Sequence, residues 1–318
     1  MPSFGWHASS RTGRAASVLT TTGRRDITVR RRVTHEVANQ RPPGTVRRGD
    51  TTMITRRCFI TSFGAAILAL RKARGAKARF DLGIGTYTYR GVTEDQMVED
   101  LKALKIQKIE LSSPNYFLPS VKLEAVRNLR TKLDQAGITA ASYFCGDIKT
   151  QGDLDLTIQV VRALGARHVS GSAVGDALKM IDTRFSREGL RFGIHNHWFR
   201  GRHFEYESPE DLLRALGDLS PAVGVTMDAG HMASCGYDPV QALDKLWPHL
   251  QLVHLKDVER AGDDKNVILG TGIAKSHAVI ETLKNRGFTG LVAIEYEAEP
   301  QNPQPDVTRC VGFTRKLM

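Results

Sequence analysis

From residue 80 onwards, short runs of β-branched and aromatic residues alternate with longer amphipathic segments. This alternation is typical of a parallel sheet whose strands are connected by helices. The predicted strands cover residues 81–87, 107–111, 138–144, 167–171, 191–197, 223–228, 251–255 and 291–296. A closed barrel and an open doubly wound sheet both accommodate such a set of strands.

The segments between the strands carry helical periodicity, and some begin with capping residues. Thr93 is followed by Gln96 three residues on, and Ser208 precedes Pro209 at a first helical position. The segment 172–190 has the weakest helical pattern. The predicted helices cover residues 93–104, 123–136, 154–164, 209–216, 239–246 and 276–286.

The placement of ionisable residues favours the barrel over the open sheet. Chemistry in a barrel gathers at the C-terminal ends of many strands, whereas an open sheet gathers it at one switch point. The chain has no G-x-G-x-x-G after its first strand, and residues 79–318 are therefore predicted to form a (β/α)₈ TIM barrel. Ionisable residues lie at the ends of five predicted strands: Glu110, His195 with His197, Asp228 with His231, His254 with Asp257, and Glu295 with Glu297.

The N-terminal 78 residues differ from the rest in composition. Residues 1–52 are rich in Arg, Thr and Gly without apolar periodicity, which predicts a disordered or untranslated leader. Residues 53–78 combine the pair Arg56-Arg57 with an apolar run over 59–70, as twin-arginine signal peptides do. We therefore expect export to the periplasm, with a basic and partly apolar tail as the alternative.

The net charge of +11 belongs to this N-terminal region, and residues 80–318 are mildly acidic. An acidic body offers no basic surface for a phosphate backbone, so nucleic acid is not an expected partner. No segment is long and apolar enough to form a stable membrane anchor. The sequence leaves a monomer and a homo-oligomer both open.

The four last strand ends combine imidazoles with carboxylates, which are ligands for a divalent metal. Residues two apart on a strand share a face, so His195 and His197 both reach the barrel mouth. This donor set suits Mn²⁺, Zn²⁺, Co²⁺ or Fe²⁺ better than Ca²⁺, with Mg²⁺ a further candidate. Such an ion polarises a carbonyl for proton transfer at the neighbouring carbon, or activates a water for hydrolysis.

These segments resemble the xylose isomerase-like sugar isomerase/epimerase superfamily. The resemblance covers about residues 80–300 and includes the first two strands, GIGTY (83–87) and KIEL (108–111). Its ordered motifs are FGIHNH (192–197), MDAGH (227–231), VHLKD (253–257), GTG (270–272) and IEYE (294–297).

The resemblance implies a role for each matching residue. The metal ligands would be His195, Asp228, His254 and Glu295, with Glu295 also the catalytic base. His231 would contact substrate, and Lys256 would hold a substrate oxygen or orient His254. The family's ketose epimerases have a proton-transferring glutamate where this chain has His195, so the second proton carrier would be Glu110, His197 or a metal-bound water.

The expected function is a sugar or keto-sugar isomerase or epimerase that acts by proton transfer next to a carbonyl. Three alternatives are a metal-dependent lyase, a hydrolase of oxidised glycosides, and a non-catalytic sugar-binding barrel. A rival assignment of the site makes Glu110 the fourth metal ligand and places both His195 and His197 on the substrate.

Overall fold

The computed structural model describes residues 78–318, in which eight parallel strands close into a barrel. In chain order β1 to β8 are Asp81–Gly85, Lys108–Leu111, Thr139–Asp147, His168–Ser172, Arg191–His195, Val223–Asp228, Leu250–Leu255 and Leu291–Ile294. β1 pairs with β8 on one side and with β2 on the other, so the barrel sheet has no free edge. The predicted (β/α)₈ fold is confirmed.

The predicted leader of residues 1–52 lies outside the described residues, as does the predicted signal peptide except for Ala78. At the start of the described residues, Ala78 donates a backbone hydrogen bond to the carbonyl of Met318. Within the described part of the chain, no helix has the length and apolar character needed to cross a membrane.

Helices connect the strands and begin where the sequence provides caps. Gln96 N–H donates to Thr93 Oγ1 at 3.2 Å, and Ser208 forms a capping box with Asp211. Residues 172–190, the weakest pattern, contain the regular helix Asp176–Glu188. The α-helices, α1 to α9, are Glu94–Ala103, Leu123–Gln135, Gln151–Leu164, Asp176–Glu188, Pro209–Leu216, Ala229–Ser234, Pro239–Leu246, Ser276–Asn285 and Gln304–Leu317.

The loop after β7 is organised around the carboxylate of Asp257, one of the ionisable residues that the sequence places at a strand end. This carboxylate accepts hydrogen bonds from the backbone N–H groups of Gly270, Gly272 and Ala274 and from the Ser276 hydroxyl. Asp257 and the GTG segment therefore shape a loop, and this loop includes a short antiparallel strand pair, Asp257–Val258 with Asn266–Val267.

The barrel interior contains a layer of buried polar side chains beneath the C-terminal mouth. Ser170 on β4 and Thr226 on β6 exchange a hydroxyl hydrogen bond of 2.8 Å, although β5 lies between their strands. The bond must therefore cross the interior. Gly193 on β5 makes this approach feasible, because a Cβ at that position would overlap Thr226 Oγ1.

Candidate metal centre

Three side chains from successive strands converge at the C-terminal mouth of the barrel. His195 ends β5, Asp228 ends β6 and His254 is the penultimate residue of β7. All three are buried, and one ligand atom from each lies within 4.8 Å of the other two. His195 Nε2 is 3.1 Å from His254 Nδ1, and Asp228 Oδ2 is 3.9 Å from the first nitrogen and 3.7 Å from the second.

The backbone around Asp228 fixes the direction of its carboxylate. Asn196 donates to the Asp228 carbonyl at 3.0 Å and accepts from the Asp228 N–H at 2.8 Å. Oδ1 accepts from the N–H of His231 at 2.8 Å, as the cap of the helix Ala229–Ser234. Oδ2 is buried and has no hydrogen-bond partner among the described residues, so it remains available to a cation.

These donors fit a divalent metal in type and spacing. Tetrahedral or octahedral coordination with bonds of about 2.1 Å separates neighbouring ligand atoms by about 3.0–3.4 Å. The observed separations of 3.1, 3.7 and 3.9 Å are close to that spacing. Imidazole with carboxylate suits a transition metal better than Ca²⁺.

Glu295, the fourth predicted ligand, follows β8 and lies beside this group. Its Oε2 is 3.6 Å from His254 Nδ1 and 3.0 Å from Lys256 Nζ. Gly85, at the end of β1, provides room for the other oxygen, because a Cβ there would lie 3.3 Å from Glu295 Oε1. The structure thus brings together all four residues predicted as ligands.

Lys256 is buried among carboxylates rather than extended toward solvent. Its ammonium lies 3.4 Å from Asp228 Oδ2, contacts Glu295 and Glu297, and is 3.2 Å from His231 Nε2. Burial would lower the pKa of Lys256, but the three carboxylates hold it well above its usual value. Lys256 therefore stays charged and acts as a hydrogen-bond donor.

His197 and His231 form a stacked pair next to the metal ligands. Their ring centroids are 4.2 Å apart, and His197 also contacts Phe204 at 4.5 Å. His197 is 5.7 Å from the His195 ring, and its buried Nδ1 has no hydrogen-bond partner in the described chain. Burial lowers the pKa of His197 to about 3, so its imidazole is neutral near pH 7.

Glu110, near the end of β2, lies inside the barrel rather than at the open rim. It is 0% exposed and sits inside the barrel, where Oε1 accepts hydrogen bonds of 2.7 Å from Ser142 and from Ser170. Oε2 contacts His254 Nε2, on the side of the imidazole away from Asp228. This position weighs against Glu110 as a proton carrier or fourth ligand.

The environment of Glu110 stabilises its ionised form. Burial by itself would raise the pKa of Glu110. The interaction with His254 and the hydrogen bonds from His254, Ser170 and Ser142 outweigh burial and lower this pKa to about 2. A carboxylate held by these hydrogen bonds is a fixed acceptor.

Aromatic side chains also line the mouth of the barrel. Phe144 meets the His195 ring edge-on at 5.1 Å, Phe117 lies 5.5 Å from Phe144, and Tyr87 stacks on Phe117 at 6.3 Å. Arg90 covers Tyr87 at 4.6 Å and donates to the carbonyl of Glu297. The site is therefore lined by aromatic as well as charged side chains.

Sequence reasoning did not identify several of these contributors. Asn196 stands between the two histidines of the FGIHNH motif, and no motif revealed that its side chain holds the backbone of Asp228. Nothing in the sequence distinguishes Ser142 and Ser170 from other strand residues, because they meet Glu110 only in the closed barrel. Tyr87 ends the first predicted strand and Phe117 comes after the second, and these positions were the one signal available for them.

Comparison with known proteins agrees with this geometry. A family model described as xylose isomerase-like TIM barrel matches residues 98–317. The chain belongs to this family.

Named relatives of this xylose isomerase-like chain share low identity with it. The rhizopine catabolism protein MocC of Rhizobium meliloti is 24% identical over 226 residues, covering 56% of this chain and 68% of MocC. An inosose dehydratase of Bacillus anthracis is 24% identical over 149 residues, covering 42% of this chain and 49% of the dehydratase. The chain thus spans about half the length of that enzyme.

A solved structure of a D-psicose 3-epimerase with D-fructose shares the fold at a TM-score of 0.57 and 15% identity, covering 75% of this chain and 99% of the epimerase. A dehydratase and an epimerase are therefore among the proteins that this chain resembles. The prediction of a sugar-processing enzyme is confirmed at the level of the family.

Proposed function

We propose that this protein is a divalent-metal-dependent enzyme that removes a proton next to the carbonyl group of a sugar or keto-sugar and so isomerises or epimerises it. One observation carries the proposal. His195, Asp228 and His254 direct ligand atoms at a common point, and Glu295 lies beside that point.

His195, Asp228, His254 and Glu295 would hold the metal, with Mn²⁺, Zn²⁺, Co²⁺, Fe²⁺ and Mg²⁺ as candidates. When bound, a divalent ion draws electron density from a substrate carbonyl and makes the adjacent C–H more acidic. Asp228 Oδ2, which has no hydrogen-bond partner in the described chain, and the facing nitrogens of His195 and His254 support this assignment.

Glu295 is the proposed base. Its carboxylate takes the proton from the carbon next to the carbonyl, and the C–H electron pair becomes the C=C bond of an enediolate. The Lys256 ammonium, 3.0 Å from Glu295 Oε2, remains protonated and stabilises negative charge in the site. Delivery of a proton to the neighbouring carbon completes an isomerisation, and delivery to the opposite face of the same carbon completes an epimerisation.

His197 is the proposed second proton carrier. Its Nδ1 has no hydrogen-bond partner in the described chain, and its ring lies beside the ligands without joining their group. His231, stacked on His197 and close to Lys256, is placed to contact substrate hydroxyls. Glu110 is not available for this role, because both of its oxygens are engaged inside the barrel.

Elimination is the second candidate reaction, and a specific observation favours it. The ligand on β5 is His195 rather than a carboxylate, and Glu110 is enclosed, so Glu295 is the carboxylate best placed to act as a base. Loss of a β-hydroxyl as water needs one such base: Glu295 takes the proton from carbon, the C–H electron pair forms the C=C bond and expels the hydroxyl, and the proton held by Glu295 passes to the hydroxyl to give water. Similarity to an inosose dehydratase supports this alternative.

The aromatic and charged side chains of the site suit a carbohydrate or cyclitol ring. Tyr87, Phe117 and Phe144 can cover the C–H face of such a ring, whereas Lys256, His231 and Glu297 can bind its hydroxyl groups. The same arrangement accommodates the sugar part of an oxidised glycoside, the substrate expected for a lyase or hydrolase.

Proton NMR in D₂O tests the proposal and separates the reactions. Mono- and disaccharides, their 3-keto forms and cyclitol ketones are incubated with the Mn²⁺-loaded protein. We expect deuterium at the carbon next to the carbonyl, with a new sugar signal for isomerisation or an alkene signal for elimination. Glu295→Gln should abolish the exchange, whereas the exposed Glu299→Gln should retain it. Full exchange in Glu295→Gln, or none with the wild type, would overturn the proposal.

A further inference from the structure

Glu110 and His254 meet across the barrel interior. Glu110 lies on β2 and His254 on β7, and these strands are not neighbours in the sheet. Oε2 of Glu110 contacts Nε2 of His254, and both residues are at most 1% exposed. The metal-binding edge of His254 is the other one, because Nδ1 faces Asp228, His195 and Glu295.

The hydrogen bonds around Glu110 run in a single direction. Ser142 and Ser170 each have one hydroxyl hydrogen, and each donates it to Glu110 Oε1. Their oxygens are then free to accept, from His168 Nδ1 at 2.9 Å and from the Thr226 hydroxyl at 2.8 Å respectively. Donors thus point inward along both branches and end at the Glu110 carboxylate.

This one-way network leaves Glu110 Oε2 as an acceptor for the Nε2–H of His254. A histidine whose Nε2–H is held by a carboxylate presents Nδ1 as its lone-pair nitrogen, and the ring cannot rotate without breaking that bond. We propose that Glu110 is a positioning residue that fixes the tautomer and orientation of His254 and thereby prepares Nδ1 to bind the divalent metal. This inference rests on the metal-dependent function proposed above.

The residues around this network are buried and closely packed, which holds the Glu110 carboxylate in one position. Ser142 and Ser170 are 0% exposed, and Gly193 allows Thr226 to reach Ser170. The network needs both carboxylate oxygens of Glu110, because Oε1 accepts from the two serines and Oε2 accepts from His254. In Glu110→Gln one oxygen becomes an NH₂ group, so either His254 or the two serines lose their acceptor.

Titration of metal-stripped protein with Mn²⁺ and Co²⁺ tests this role without measuring activity. Glu110→Gln should weaken the affinity for both ions by about 10–100-fold, the usual effect of losing a carboxylate behind a metal-binding histidine. The visible absorption of the Co²⁺ form should change as well. Tyr143→Phe is the matched control, since it removes a buried hydroxyl bond from β3 to the Tyr116 carbonyl. It should leave metal affinity and spectrum unchanged.

The outcomes separate this inference from the proposed function. Absence of metal binding by the wild type would overturn the proposed function and the role of Glu110 with it. Tight wild-type binding that is matched by Glu110→Gln, with the same spectrum, would overturn the role of Glu110 alone. Equal weakening in Tyr143→Phe would also overturn it, because general loosening of the barrel would then explain both.

Ser142→Ala and Ser170→Ala provide a second route should Glu110→Gln fail to fold. Each removes one donor from Glu110 Oε1 and keeps the carboxylate itself. We expect each to weaken Mn²⁺ binding less than Glu110→Gln, and the double variant to weaken it more than either one. Wild-type affinity in the double variant would contradict the inference.

Discussion

Nε2 of His195 and Nδ1 of His254 face each other at 3.1 Å across the barrel mouth. Their strands, β5 and β7, are separated by β6, which contributes Asp228 between them. The two nitrogens and the carboxylate oxygen of Asp228 are buried and close together. Their lone pairs would repel one another unless they share a proton or bind a cation. The architecture of the barrel, rather than any local motif, produces this requirement.

His195 and His197, the two histidines of the FGIHNH motif, are expected to have different roles. His195→Ala should lose most bound metal, because Nε2 belongs to the converging group. His197→Ala should keep the metal and lose kcat/KM, because its ring lies beside the group. Metal content and kinetics of both variants check this prediction. Full metal content in His195→Ala would instead support a ligand set without this residue.

Lys256 is expected to stabilise the metal-free protein. Lys256→Met leaves Asp228, Glu295 and Glu297 without their common cation, which costs about 3–5 kcal/mol for a broken buried ion pair. The metal-free Tm should fall, and Mn²⁺ should raise it by more than in the wild type, since the ion supplies the missing charge.

Lys265→Met is the control for this variant, because Lys265 pairs with Glu259 on the surface. Loss of a surface ion pair changes stability little. Differential scanning calorimetry with and without Mn²⁺ makes the comparison. An unchanged Tm in metal-free Lys256→Met would show that the buried lysine does not balance the carboxylates.

Gly193 is expected to be required for the polar layer inside the barrel. A Cβ at this position overlaps Thr226, so Gly193→Ala should cost about 1–3 kcal/mol, or about 2–4 °C in Tm per kcal/mol for a domain of this size. Gly312→Ala is the matched control within the helix Gln304–Leu317, where an added Cβ meets nothing within 4 Å.

Gly312→Ala should stabilise the protein by about 0.5–1 kcal/mol, because alanine favours a helix interior over glycine. The two substitutions therefore have opposite expected signs. Thermal unfolding measures both, and a neutral Gly193→Ala would mean that β5 can move away from Thr226 without cost.

Much of the fold followed from the sequence because strand and helix periods are local. The eight strands lie within a few residues of their predicted ranges, and the main differences are the early ends of β1, β5 and β8 and the extension of β3 to Asp147. The final helix was missed although its buried residues Val307, Cys310, Val311 and Thr314 have helical spacing. That signal was present in the sequence.

The depth of a side chain in the barrel was not predictable in the same way. Glu110 and Asp228 both stand near strand ends in the sequence, yet one lies inside the barrel and the other at its mouth. The stagger of neighbouring strands around the closed sheet decides this depth. The stagger depends on the packing of all eight strands. No local sequence pattern therefore reveals which side chains contact each other across the interior.

Export remains a prediction from Arg56-Arg57 and the apolar run over 59–70. We propose that the mature chain begins near Arg79. N-terminal sequencing of periplasmic protein checks this, and replacing both arginines by lysine should keep the precursor in the cytoplasm. Periplasmic accumulation of the double-lysine variant at the wild-type level would argue against a twin-arginine signal.

Mn²⁺ titration of metal-stripped wild type and Asp228→Asn by calorimetry tests the metal centre most directly. Asp228 Oδ2 is buried without a hydrogen-bond partner in the described chain, so a cation is its natural partner. We predict saturable binding of a single ion by the wild type and a loss of affinity of at least about 100-fold in a folded Asp228→Asn protein. No binding by the wild type, or equal binding by both proteins, would contradict the account.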